Sequence, residues 1–311
     1  MSTKLISVVT PCYNEEANVR ELYQRIKAVF EGLPGYRYEQ IFIDNASRDG
    51  TAAVLRELAA ADPNVKVILN ARNFGHIRSP YYALLQARGD AVVGMASDLQ
   101  DPPELIPAFV ERWEQGARAV MGVKEQSDET LLMYSVRGAY YRLLDRIADI
   151  RIVRQATGFG LYDRVVIDQL RRLDDPYPYF RGLVAELGYQ TATVPYRQPA
   201  RRRGITSNNF YSLYDLAMLG IVNHSKVPLR LATIFGFGMA LLSFLIALGY
   251  LVAKLVFWDE FSLGLAPILI GFFFLSSVQL AFVGIVGEYI GSIYTQVKKL
   301  PLVVERERIN W

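Results

Sequence analysis

Apolar and polar positions along the first 125 residues follow the rhythm of an α/β chain. Five short apolar runs, Leu5–Thr10, Gln40–Asp44, Val65–Leu69, Ala91–Met95 and Ala119–Val123, have the length and composition of buried strands. Between them, stretches such as Glu15–Phe30 and Thr51–Ala61 repeat apolar residues at helical spacing. This alternation predicts a doubly wound, mostly parallel sheet with crossovers on both faces. Two helix starts are marked. Asp49 precedes Gly50-Thr51, and Asp101-Pro102-Pro103-Glu104 offers an acid at the N-cap, proline at N1 and glutamate at N3.

The pattern changes further along. Leu131 to Leu173 reads as mostly helical, broken at Thr157-Gly158-Phe159-Gly160; a turn-rich stretch, Asp174–Pro178, and a basic run, Arg201-Arg202-Arg203-Gly204, follow. Asn209–His224 puts Phe210, Leu213, Tyr214, Ala217 and Ile221 on one stripe, which predicts a helix lying in a membrane interface or packed on the sheet. Leu231 to Ala253 and Phe261 to Gly287 then carry no charged residue, and each exceeds the ~20 residues that cross a bilayer core. The expected division is a sheet domain over 1–205, a juxtamembrane interfacial helix over 206–228, two transmembrane helices over 229–290 and a tail over 291–311. Lys226, Arg230, Lys298 and Lys299 flank the spans, whereas Asp259 and Glu260 sit between them. The positive-inside rule therefore places the N-terminal domain and the tail in the cytosol. Gly284, Gly287 and Gly291 would let spans approach closely, so a homo-oligomer is expected.

Composition narrows the possibilities. A formal net charge of +3 excludes a general nucleic-acid binder, and the single cysteine, Cys12, excludes an intrachain disulfide or a cysteine metal cluster. The apolar run after Lys4 is too short for the core of a signal peptide. His76 and His224, the only histidines, are too far apart in sequence to suggest a metal pair.

The candidate chemistry sits in loops that follow the first, second and fourth strands. These are Pro11-Cys12-Tyr13-Asn14-Glu15-Glu16, Asp44-Asn45-Ala46-Ser47-Arg48-Asp49-Gly50-Thr51 and Asp98-Leu99-Gln100-Asp101-Pro102-Pro103-Glu104. In a doubly wound sheet all three open on one edge, where ligands bind. With Arg72-Asn73-Phe74-Gly75-His76, this set resembles family 2 glycosyltransferases of the GT-A fold. The two C-terminal spans make the chain similar to the polyisoprenyl-phosphate glycosyltransferases. That resemblance implies an inverting transfer from a nucleotide sugar, with a UDP-sugar the expected donor, to undecaprenyl phosphate or a similar polyprenyl phosphate. The site would face the cytosol from a bacterial inner membrane.

The same resemblance implies roles. Tyr13 and Asp44 would meet the base, by stacking and through a carboxylate, and Glu15 would order the same pocket. Pro11, Asn14, Asn45, Ser47, Arg72, Asn73, Gly75, His76, Gln100 and Asp101 would line the nucleotide-sugar site; capping a helix is the alternative for Asp101. Asp98 would coordinate Mg²⁺ or Mn²⁺ on the diphosphate. Two departures stand out: Ala96 replaces the first acid of the family's Asp-x-Asp, and Gly158 replaces a proposed catalytic base. A lone carboxylate suffices for Mg²⁺, which takes its other ligands from phosphates and waters. A lipid monophosphate, with a second pKa near ~6, needs little help from a base. Glu186 is expected to replace the lost carboxylate near the acceptor, or else to be a surface acid or a partner of Arg181. Arg201 and Arg203 are expected to grip the lipid phosphate; the alternative is plain electrostatic anchoring. Two other functions fit less well: a processive polysaccharide synthase, and a non-catalytic membrane scaffold or sensor with a nucleotide-binding fold.

Overall fold

A computed structural model gives the fold and describes residues 3–125, 153, 156–199, 218, 222, 225–257 and 265–311. Strands β1 (Lys4–Cys12), β2 (Tyr36–Asp44), β3 (Val65–Asn70), β4 (Ala91–Gly94) and β5 (Ala119–Lys124) alternate with helices α1 (Glu16–Glu31), α2 (Thr51–Ala61), α3 (Gly75–Gln86) and α4 (Ile106–Glu114). Then come β6 (Ala156–Asp163), α5 (Arg164–Leu173), α6 (Phe180–Glu186) and β7 (Thr191–Tyr196). The chain ends in two long helices, α7 (Val227–Val256) and α8 (Leu265–Val297), and a last strand, β8 (Glu305–Ile309).

All eight strands form one sheet in the order β7-β5-β6-β4-β1-β2-β3-β8. Only β6 and β8 run against the rest. The sheet is the doubly wound, mostly parallel one that the alternation predicts. Both faces are covered, so the central strands are apolar at nearly every position. Ile6, Val8, Phe42 and Val67 pack on α1, α2 and α4 through Leu22, Leu55 and Phe109. Val9, Ile41, Ile43 and Ile68 pack on α3 and α5 through Tyr81, Leu84 and Ile167. Each such side chain contributes about 1.5–3 kcal/mol by leaving water.

The sequence pattern needs correcting at the second half of the sheet. Residues 156–163, taken above as a break in helical sequence, form a strand that pairs with both β4 and β5. Backbone proximity explains its glycines: a Cβ on Gly160 would stand 2.3 Å from the Val120 carbonyl oxygen. Asp163, not a helical residue, caps α5 by accepting a hydrogen bond from Val165 N–H at 2.9 Å.

Helices α7 and α8 are long and apolar enough to cross a membrane, and their apolar windows are not buried by the rest of the chain. Phe237, at 75% exposed, typifies them; apolar surface of that extent belongs against lipid or a partner. The two helices are bonded to each other at one end, and α8 is bonded to the sheet domain. Tyr289 donates to the Ser225 carbonyl at 2.7 Å, and Gln296 donates to Asp175 at 3.0 Å. The second helix runs on to Val297, and the tail then returns to the sheet as β8 on the free edge of β3. The expected interfacial helix over 209–224 lies outside the described residues, apart from 218 and 222.

Candidate active site

The carboxyl ends of β1, β2 and β4 bring the three motif loops together, as the topology requires. The first two loops are stapled to each other. Asn14 N–H donates to the Ser47 hydroxyl at 2.9 Å, and Arg48 N–H donates to the Asn14 side-chain oxygen at 2.8 Å. Glu15 N–H donates to the Thr51 hydroxyl at 2.9 Å. Asp49 serves both helix starts, accepting from Thr51 N–H at 3.1 Å and Glu16 N–H at 3.2 Å. Burial opposes its charge, but the Thr51 and Glu16 hydrogen bonds hold its pKa below the ordinary value. Asn14, Ala46 and Leu99 all adopt left-handed backbone, with φ of 57°, 60° and 61°. Such conformations cost of order 1 kcal/mol and gather where loops are shaped for ligands.

Tyr13 is 39% exposed at the mouth of this edge, available for stacking. Asp44 is different: it has no exposed surface, and Ser47 covers it with both its N–H and its hydroxyl. Burial pushes its pKa up, while the Ser47 hydrogen bonds and the charge of Arg306 pull the other way. Direct contact of Asp44 with a base would require Ser47 to move aside. Asn45 is likewise buried. Its amide donates to Asn73 at 2.9 Å and Gly75 O at 3.1 Å and accepts from Phe74 N–H at 2.8 Å. It positions the loop after β3. Arg72 and His76 project from that loop as exposed side chains, Arg72 over the Phe74 ring at 4.1 Å.

Past β4, Asp98 is half-buried and accepts from Gln100 N–H at 3.2 Å; Gln100 reaches the Pro199 carbonyl at 3.3 Å. Asp101 does not cap the following helix. Its side chain turns inward, accepting from Ala96 N–H at 3.0 Å and from the Tyr196 hydroxyl at 3.1 Å. Burial raises its pKa, the nearby Asp98 charge adds to this, and the Ala96 and Tyr196 hydrogen bonds oppose it. The inward turn follows from Leu99, whose left-handed backbone folds the loop back on itself. Glu104 closes no capping box either; it takes a two-pronged bond from Arg25 of α1 at 2.8 and 2.6 Å.

Beside this loop lies a cleft of about 450 Å³, with Pro11, His76, Ala96, Asp101, Gly158 and Arg181 among its lining residues. The φ of +95° at Gly158 suits glycine alone, and a Cβ there would meet nothing within 4 Å. The cleft is therefore open at the position where the family resemblance implies an acid, and β6 is built for the smaller residue. Glu186 does not fill that gap. It lines a second cavity of about 320 Å³ with Asp175, Tyr289 and Gln296, because α6 turns its end toward the foot of α8. Arg181, from the start of the same helix, does face the cleft and donates to the Ala156 carbonyl at 2.7 Å. In the sequence it stands only as a possible partner for Glu186, five residues along the same helix, and no motif marks it as a cleft residue. Arg201 and Arg203 lie outside the described residues.

Among the described residues no group of three or more His, Cys, Asp or Glu side chains converges as a metal cage. A divalent cation here would rest on the Asp98 carboxylate and on oxygens of its ligand, a donor set that Mg²⁺ accepts.

Comparison with known proteins identifies the family. The profile "Glycosyl transferase family 2" matches residues 7–171. The chain is 36% identical to the glycosyltransferase YkcC of Bacillus subtilis (strain 168), over 96% of this chain and 92% of that one. It is 34% identical to the SfII prophage-derived bactoprenol glucosyl transferase of Shigella flexneri, over 95% and 96%. Among solved structures, the mannosyltransferase PcManGT of Pyrobaculum calidifontis, in complex with GDP-Man and Mn²⁺, has 19% identity and a TM-score of 0.48 over 94% of this chain and 86% of that one. The chain belongs to glycosyltransferase family 2.

Proposed function

We propose that this glycosyltransferase is an integral membrane enzyme that transfers a sugar, with inversion, from a UDP-linked donor to a polyprenyl phosphate at the cytosolic face. The observation that carries the reading is a family 2 site on the same chain as two unburied apolar helices, the second of which bonds to Asp175 of the sheet domain. A relative named for bactoprenol glucosyl transfer supports the lipid acceptor.

Tyr13 stacks on the base, the Ser47–Asp44 turn reads its edge, and Arg72 and His76 border the donor. Asp98 holds Mg²⁺ or Mn²⁺, which when bound stabilises charge on the departing diphosphate. Asp101 shapes the loop that presents Asp98. The acceptor phosphate attacks the anomeric carbon from the side opposite the leaving group. No carboxylate base is required, because the phosphate is largely dianionic at cytosolic pH. Arg181 and the Arg201–Arg203 cluster hold that phosphate by guanidinium forks. The spans set the cleft near headgroup depth, which supplies proximity.

The test is incubation of purified protein with a panel of nucleotide sugars and radiolabelled undecaprenyl phosphate, with products separated by thin-layer chromatography. Wild type should label the lipid from one UDP-sugar, and Asp98→Asn should lower turnover at least about a hundredfold. Labelled lipid from no donor would leave the scaffold reading standing. A growing polymer would favour a processive synthase.

A further inference from the structure

The last strand brings a charged side chain to the donor edge from beyond the membrane helices. β8 pairs antiparallel with β3, but its register breaks: Leu69 faces Glu307 and Asn70 faces Glu305. Arg306 is thus the extra residue of a β-bulge, the device by which a strand re-aims one side chain. Its neighbours take the two sheet faces in the ordinary way. Glu307 receives Arg56 of α2 on one face, and Glu305 receives Tyr82 of α3 on the other. Arg306 belongs to neither face. It is exposed, and no described residue offers it a hydrogen bond or ion pair. The register places it at the carboxyl end of β3, the end that carries Arg72 and lies next to Asp44 of β2. Its charge reaches Asp44, easing a carboxylate that has no access to solvent.

Sheet order fixes what it can touch. Asp98 follows β4, Tyr13 follows β1, Asp44 ends β2, and β8 lies beyond β3. A nucleoside diphosphate with its phosphates at Asp98 and its base stacked on Tyr13 would turn the free edge of that base toward β2, β3 and β8. We propose that Arg306 is a donor-binding residue, its guanidinium donating to a carbonyl oxygen of the base. A base carbonyl is an acceptor with in-plane lone pairs, and the arginine fork supplies in-plane donors. Asp44 beneath acts as the buried counter-charge. The inference rests on the UDP-donor reading above and adds to it a contact supplied by the chain's return from the membrane.

The experiment is calorimetric titration of UDP and of UMP into full-length protein in nanodiscs, comparing wild type with Arg306→Met and Arg306→Lys. Methionine keeps the stem and the strand but removes the donors. Arg306→Met should weaken both nucleotides about tenfold, consistent with loss of one hydrogen bond from a charged group. Arg306→Lys should recover part of that loss, and amide exchange over 305–309 should be unchanged. Equal affinities in wild type and Arg306→Met would overturn the assignment. A loss for UDP without one for UMP would move the contact to the β-phosphate and reject it equally. Faster exchange along β8 that accounts for the loss would make Arg306 a strand residue only. If wild type binds neither nucleotide, the donor reading itself falls.

Discussion

Two buried acids at the ends of strands show how the same residue type serves opposite ends. Asp163 is desolvated but receives Trp113 Nε1–H at 2.7 Å, Val165 N–H at 2.9 Å and Arg118 Nη1–H at 2.9 Å. Those bonds overcome burial and hold its pKa below the usual 3.8. Asp101 has fewer donors and a like charge nearby, and its pKa is raised. The signs follow by linkage. The contribution of Asp163 to stability is fully present above 3.8 and is lost as pH falls through its lower folded value. The preference of Asp101 for the folded state is greatest below 3.8 and declines as pH rises through its higher folded value. Thermal unfolding from pH 3 to 7 should separate them. Asp163→Asn should cost about 2 kcal/mol near neutrality, with the gap from wild type closing toward pH 3. Asp101→Asn should gain on wild type as pH rises. Stability curves that stay parallel would contradict both assignments. The motif acids were legible in the sequence as a group, but their orientations were not, because a single left-handed residue such as Leu99 decides whether Asp101 caps or turns inward.

Hydrophobic pattern recovers elements only where burial writes it. The first five strands are covered by helices on both faces, so their apolar runs stand out against the amphipathic crossovers. β6 is also covered on both faces, with Phe159 and Leu161 on one and Tyr162 on the other, but its glycines break the run. Periodicity alone cannot separate such a segment from a helix. β8 is the harder case. Glu305-Arg306-Glu307-Arg308 is a charged edge strand, and charge on an edge discourages pairing with other chains. It stays in place through its ladder to β3, through Asn310, which donates to Ala59 O at 2.6 Å and Val65 O at 2.9 Å, and through Trp311. Arg308 and Lys66 lie over the Trp311 ring at 4.4 and 5.1 Å. The exposed Arg56–Glu307 pair should matter far less. Trp311→Ala is expected to lower the opening free energy of β8 by about 2 kcal/mol, from lost ring burial and the cation–π contacts of Lys66, Arg88 and Arg308. Arg56→Ala should lower it by under about 0.5 kcal/mol. Hydrogen exchange of the 305–309 amides measures both; equal effects would mean the ring does not secure the strand.

At the scale of the molecule, the sheet domain bonds to the end of the second apolar helix and to the tail that follows it. Ser225 and Tyr289 join at the start of α7, Gln296 binds Asp175 at the end of α8, and Arg78 donates to the Pro301 carbonyl at 2.5 Å as the tail turns back to β3. Two crossings, as proposed, would put the connection between α7 and α8 on the side of the membrane opposite the sheet. Substituted-cysteine labelling can test this without engineering out the native thiol. Cys12 is buried, and burial raises its pKa well above the ordinary value, so it should be silent toward maleimides. With an impermeant maleimide on intact cells, Ser262→Cys should label, whereas Lys27→Cys, on the exposed side of α1, should label only after the membrane is opened. Labelling of both positions from the same side would mean that the apolar helices do not cross. The cleft would then have no fixed height above the lipid, and anchoring could not bring a soluble sugar donor to a membrane-bound phosphate.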